Sequence, residues 1–150
     1  MNVVDILSIE RTFMGVEGAS KKRVLENTAG LIAQLCPEFE AGELFDNLIA
    51  RERLGSTAIG RGIAIPHSRA NHCQQPVGCL LKLAEAVDFD ALDNEPVDLL
   101  FVLLVPQEAT DDHLKLLSQI AERFSDASLR DALRQADSAE ALFDKFISFQ

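Results

Sequence analysis

The sequence contains no Trp and no Tyr. Its nine Phe are the only aromatic residues, so a base-stacking or sugar-stacking platform would have to be built from Phe alone. Cysteine is scarce as well. Cys36, Cys73 and Cys79 are an odd number at no metal-ligand spacing, a poor fit to a disulfide scaffold and a pointer to a reducing, cytoplasmic setting. The longest unbroken apolar run, Leu99 to Val105, falls far short of the roughly 20 residues a bilayer-spanning helix requires. The amino terminus carries Asp5 and Glu10 and has no basic flank before an apolar stretch, which is not the pattern of a signal peptide. Positive charge is also in short supply: 14 Lys and Arg against 24 Asp and Glu leave a formal net charge of −10. A cationic face broad enough for a polyphosphate backbone is not expected, so neither nucleic acid nor membrane insertion is expected of this chain.

What is present is the material of one globular domain spanning residues 1–150, with 47% hydrophobic and 25% charged residues and no repeat, low-complexity tract or linker. Ser20 is placed to cap a helix whose apolar positions Val24, Leu25, Thr28, Leu31, Ile32 and Leu35 recur at helical spacing, closed by Pro37. A second helix follows from about Ala41 toward Arg53, with Leu44, Phe45, Leu48 and Ile49 as its stripe and Gly55 as its stop. Gly55 to Gly62 reads as a small-residue loop, and Ile63-Ala-Ile65 as a short strand that Pro66 terminates, presenting His67. Val77–Val87 and Val97–Val105 are strand candidates, the second apolar on both faces and therefore central. Thr110, Asp111 and Asp112 offer caps for a helix with Leu114, Leu117, Ile120, Ala121 and Phe124 in its stripe. Shorter helices fit Ser128–Gln135 and Ser138–Phe149, and the stretch from Arg11 to Ala19 fits a further strand. Two helices, then strands, then helices predict a three-layer α/β sandwich.

Several motifs fail on inspection. The Gly55–Gly62 loop approaches a phosphate-binding P-loop, but Arg61 stands in place of its Lys, Gly62 in place of its Ser or Thr, and a strand rather than a helix follows. His67, His72 and Cys73 do not make the four short-spaced ligands of a structural zinc site, so no metal is expected. Asp88, Asp90 and Asp93 begin like a calcium loop, yet Leu92 and Asp93 occupy positions that require a ligand and a glycine. Ser68 beside His67 lacks the Gly-x-Ser-x-Gly elbow of a hydrolase. His67 and His113 remain. An imidazole is a competent phosphoryl acceptor near neutral pH. His113 falls in the first turn of a predicted helix, where the dipole favours an anion.

The segment Arg51-Glu-Arg-Leu-Gly-Ser-Thr-Ala-Ile-Gly-Arg-Gly-Ile-Ala-Ile-Pro-His67 resembles the active-site segment of the fructose/mannitol-type IIA domains of the bacterial phosphotransferase system. The resemblance continues through Phe89 to Pro106 and through His113-Leu-Lys-Leu-Leu-Ser118, covering most of the chain. The wording Asp93-Asn-Glu-Pro-Val-Asp-Leu-Leu-Phe101 is most similar to the nitrogen-related members. The resemblance implies a mixed central sheet flanked by helices, and a phosphocarrier that receives a phosphoryl group on His67 from an HPr-like phosphohistidine carrier and regulates target proteins according to its phosphorylation state. It implies His113 as the second active-site histidine and Arg51 as the basic residue beside them, with Ser56 and Thr57 completing a phosphate cradle and no cofactor or Mg²⁺ required. The alternatives are a sugar-uptake IIA component that passes the group to a fructose or mannitol IIB subunit, a non-catalytic interaction module on the same fold, and a small-molecule anion binder. Ser68 and Arg69 depart from the glycine that often follows the family's histidine, and Lys115 replaces a histidine found in some nitrogen-related members. Arg51, Arg53, Arg61 and Arg69 all flank His67 in sequence, which predicts a locally positive site on an acidic protein.

Overall fold

The computed structural model describes residues 1–109 and 111–149. A one-turn helix α1 (Val3–Ile6) and a 3-10 turn (Ile9–Arg11) lead into strand β1 (Thr12–Val16), and helices α2 (Lys21–Leu35) and α3 (Ala41–Leu54) follow. Next come β2 (Ala58–Gly60), β3 (Ile63–Ala64), β4 (His67–Ala70), β5 (Val77–Val87) and β6 (Val97–Pro106). The helices α4 (Asp112–Phe124), α5 (Ala127–Gln135) and α6 (Ala139–Ser148) end the chain. Among the described residues the strands form one six-stranded sheet in the order β1-β5-β6-β3-β2, with β4 also paired to β6. β5 is antiparallel to β6, while β1 is parallel to β5 and both β3 and β4 are parallel to β6. The sheet is mixed.

β6 explains the layering. Its side chains alternate between faces with period 2, and both sets are apolar. Leu100, Val102 and Leu104 join Val24, Leu25, Ile32, Leu44 and Leu48 of α2 and α3 in one core. Leu99, Phe101, Leu103 and Val105 join Leu116, Ile120, Phe124, Leu133 and Phe146 of α4–α6 in the other. A strand covered on both faces has no polar side to show to water, which is why it reads as an unbroken apolar run.

Three local expectations change. The Gly55–Gly62 segment is not one loop but contains the hairpin β2–β3, turned at Gly60, Arg61 and Gly62 with φ of 92°, 59° and 81°. A side chain at Gly62 would place its Cβ 2.5 Å from Arg134 Nη2 and 3.0 Å from Asp98 Oδ1, so the turn needs glycine there for space as well as for its φ. Pro66 does not end the strand line, because its carbonyl accepts from Leu103 N (2.9 Å) and β4 resumes at His67 against the same neighbour. Pro66 removes only a donor. The α4 stripe is also differently phased: Leu116, Ile120 and Phe124 are buried while Leu114 is 53% exposed. Ser20 and Ser138 cap their helices by accepting from Arg23 N and Ala141 N. Asp111 is the cap residue of α4 but its side chain makes no capping bond, and Thr110 lies outside the described residues.

Candidate functional site

α3 positions Arg51 through its neighbours on the helix. Leu44, Leu48 and Glu52 recur every fourth residue and are buried, which fixes the helix's rotation and leaves Arg51 half-buried in the last turn. Glu52 is the one charged residue on that buried face. Its carboxylate accepts from Thr57 N (3.3 and 3.2 Å) and from the Thr57 hydroxyl, and pairs with Lys21 Nζ at 3.3 Å. Lys21 in turn bridges to Asp90 at 2.9 Å and to the Phe89 carbonyl at 3.4 Å. The Gly55–Thr57 turn is thereby moored from below to α3 and from the side to the 88–95 loop. The sequence signal for Glu52 is a carboxylate in phase with Leu44 and Leu48.

His67 opens β4 opposite Leu103, so its ring lies on the same sheet face as Leu103 and the α4 helix. Its Nδ1 is 2.8 Å from the Ile65 carbonyl. A carbonyl only accepts, so Nδ1 carries the hydrogen and the lone pair is left on Nε2. Arg51 Nε faces that Nε2 at 3.4 Å, while Arg51 Nη1 donates to the Gly55 carbonyl at 2.9 Å. The His67 pKa is lowered, first by burial and further by Arg51 and His113; the Ile65 hydrogen bond and the Glu52 charge oppose the shift. The ring is therefore neutral at pH 7.

Arg51, His67 and His113 line one cleft of about 240 Å³, together with Ser68, Arg69, Leu103 and Val105. Helix α3, strand β4 and helix α4 thus bring together the three residues proposed from sequence. Ser56 and Thr57 are placed differently. The Ser56 hydroxyl donates to the Phe89 carbonyl (2.5 Å) and accepts from Ala58 N (3.1 Å), the Thr57 hydroxyl donates to Glu52, and neither residue lines this cleft. Both hydroxyls hold the loop in place. Of the four flanking arginines, Arg51 and Arg69 line the cleft. Arg61 sits in the hairpin turn and lines a different depression with Asp98 and Arg134, and Arg53 is exposed on the last turn of α3. Ser68 pairs with Leu104, facing the opposite side of the sheet from His67, and its buried hydroxyl has no partner among the described residues.

No group of His, Cys, Asp and Glu suited to a metal occurs among the described residues. The three cysteines are free thiols, and burial pushes Cys73 up to about 11 and Cys79 to about 12, so neither is a thiolate at neutral pH. No helix among the described residues is long and apolar enough to cross a membrane.

Residues 5–148 match the family described as the phosphoenolpyruvate-dependent sugar phosphotransferase system, EIIA 2. The chain belongs to this family. Within it, the chain is 55% identical over 145 residues to the nitrogen regulatory protein of Pseudomonas aeruginosa, covering 97% of this chain and 94% of that one. The crystal structure of the nitrogen regulatory protein IIA-Ntr from Neisseria meningitidis superposes with a TM-score of 0.87 at 39% identity, covering 96% and 98% of the two chains. The mannitol IIA of Escherichia coli shares the fold, with a TM-score of 0.76 at 17% identity over 93% of this chain and 97% of that one. The three-layer mixed sheet is thus the IIA fold of the phosphotransferase system, and the chain is a IIA protein whose named relatives include nitrogen regulatory proteins.

Proposed function

We propose that this IIA protein is a regulatory phosphocarrier in which His67 Nε2 accepts a phosphoryl group from the phosphohistidine of an HPr-like carrier. The phosphorylated and unphosphorylated forms then differ in the target proteins they bind. The observation that carries this reading is the placement of the His67 ring, with Nδ1 2.8 Å from the Ile65 carbonyl and Nε2 facing Arg51 in a cleft shared with His113. In the transfer, the Nε2 lone pair forms the new N–P bond, the donor's N–P bond breaks, and that electron pair stays on the donor imidazole. No proton has to move at Nε2, so no general base is needed. The charge spread over the three equatorial oxygens in the loose transition state is met by the Arg51 guanidinium and by His113. This chemistry calls for no metal and no nucleotide. The names of the similar proteins support a nitrogen-related regulatory role rather than sugar uptake.

The deciding experiment is incubation with phosphoenolpyruvate and the two upstream carriers, read by intact mass. The wild-type chain is expected to gain one acid-labile phosphoryl group and His67→Ala none; normal labelling of His67→Ala would remove the assignment. Onward transfer to a IIB subunit and then to fructose or mannitol would make the protein a sugar-uptake component instead.

The pH dependence follows from the direction of the His67 shift. The folded pKa lies below the ordinary 6.5, so Nε2 is unprotonated at neutral pH and takes up a proton only in acid. The rate of phosphoryl acceptance is expected to be level above neutrality and to fall below pH 6.5, where a protonated Nε2 has no lone pair to offer. Stability moves the same way. Between the unfolded value of 6.5 and the lower folded value the unfolded chain binds more protons, so this residue's effect is to destabilise the fold as pH falls. Stopped-flow or quench-flow transfer rates from pH 5.5 to 8.5 check the first statement, and a rate that rises on acidification would contradict it.

A further inference from the structure

His113 stands on a poorly anchored turn. From Pro106 to Lys115 no described residue is buried, and the first core contact of α4 is Leu116. The Asp111 cap residue makes no side-chain bond to the helix. Apart from the partly buried Ala109, which packs against the core, little apolar burial holds this segment, and a segment of this kind belongs to the low-stability end of a fold. Arg69 ties it down from the opposite element. Arg69 Nη1, on β4 two residues after His67, donates to the carbonyls of Gln107 (2.8 Å) and Ala109 (2.5 Å), both in the connection between β6 and α4. Arg69 pairs with Val105 in the register that sets His67 against Leu103, so Arg69 and His67 share a face. Arg69 also lines the same cleft as His67 and His113.

We infer that Arg69 is a positioning residue: it straps the β6–α4 connection to the strand carrying His67 and thereby sets the separation of the two active-site histidines. A guanidinium suits the task, because Nη1 carries two N–H donors, one for each carbonyl, and its charge strengthens both bonds. Pairing of β4 with β6 ends at Ala70 and Pro106, so beyond that point the strap is what links the β6–α4 connection to the strand carrying His67. A displacement of about 1 Å at a reacting centre costs on the order of 100-fold in rate.

This inference rests on the phosphoryl-acceptor role proposed for His67. The test compares the wild-type chain with Arg69→Gln and Arg69→Lys in phosphoryl transfer from the upstream carriers, alongside ¹H–¹⁵N spectra of the histidine rings and thermal unfolding. Arg69→Gln is expected to accept phosphate roughly 10- to 100-fold more slowly but still to reach one group per chain. The expected spectra show the His113 ring resonances shifted or broadened and those of His67 retained, with a thermal midpoint close to wild type. Arg69→Lys keeps the charge and has donors for both carbonyls on a shorter side chain, and is expected to recover part of the rate together with part of the His113 shift. A wild-type rate or an unchanged His113 spectrum in Arg69→Gln would overturn the inference, as would an Arg69→Lys chain that regains the rate while its His113 spectrum stays as in Arg69→Gln, since charge alone would then suffice. If the wild-type chain accepted no phosphate, the carrier role itself would fall, an outcome separate from all of these. The His113 spectra still test the strap in that case.

Discussion

Arg51→Gln is expected to lower the rate of phosphoryl transfer to His67 by on the order of 10²- to 10³-fold, with little change in thermal stability. Arg51 faces Nε2, the atom proposed to form the bond to phosphorus. The transferring group carries its negative charge on oxygens that lie just beyond that atom, so a guanidinium there is worth far more in the transition state than in the resting protein. Its ground-state bonds are modest, one to the Gly55 carbonyl at 2.9 Å and one to His67 at 3.4 Å, and losing them costs about 1 kcal/mol. Arg51→Lys restores charge but not the bidentate fork and is expected to recover only part of the rate. A second readout is independent of turnover. Arg51 contributes to holding the His67 pKa down, so Arg51→Gln is expected to raise it in an NMR titration. Wild-type transfer by Arg51→Gln would show that charge neutralisation comes from elsewhere in the cleft.

Glu52→Ala is expected to be the most damaging single change near the site to the fold itself. The Glu52 side chain is 2% exposed and serves Lys21 and both the amide and hydroxyl of Thr57. Its truncation leaves these donors short of an acceptor in a buried setting, a loss on the order of 3 kcal/mol, moderated because Lys21 keeps Asp90 at 2.9 Å. For a chain of this length that corresponds to a fall in midpoint of roughly 6–12 °C. Glu52→Gln retains an acceptor for Thr57 and nearly the same shape, and is expected to lose about half as much. The functional consequence is indirect: the Gly55–Thr57 turn supplies the carbonyl that holds Arg51, so Glu52→Ala is expected to slow phosphoryl acceptance while preserving its site. Calorimetry and the mass-based transfer assay separate the two effects. An unchanged midpoint would mean that the buried network contributes no net stability.

Much of the architecture was legible because local and global preferences agree. The apolar run Leu99–Val105 is apolar on both faces only because β6 is covered on both, and the caps Ser20 and Ser138 satisfy amide groups that any helix start leaves open. The α4 stripe was misphased because Leu114, Leu116 and Leu117 all offer apolar side chains, and the choice among them is made by the sheet that α4 packs against rather than by the helix. The continuation of β4 past Pro66 was hidden for a related reason: proline removes a donor but leaves a carbonyl, and whether a neighbour uses that carbonyl depends on the strand alongside.

The sequence by itself showed the family through the segment ending at His67, and that resemblance implied His67 as the nucleophile candidate with His113 and Arg51 beside it; an imidazole can accept a phosphoryl group and a guanidinium can meet its charge, so the residue types agree with those roles. It also placed the two serine caps and the central strand, since those depend on neighbours a few positions away. Only the tertiary structure decided which nitrogen of His67 is available, because that follows from a carbonyl two residues back folded to 2.8 Å from the ring. It alone showed that the Ser56 and Thr57 hydroxyls hold the loop rather than face the cleft. It alone separated Arg69, which ties β4 to the β6–α4 connection, from Arg53 and Arg61, which also flank His67 in sequence but lie outside its cleft. Proximity along the chain does not say which way a strand turns its side chains or which helix meets its edge; pairing register and packing do.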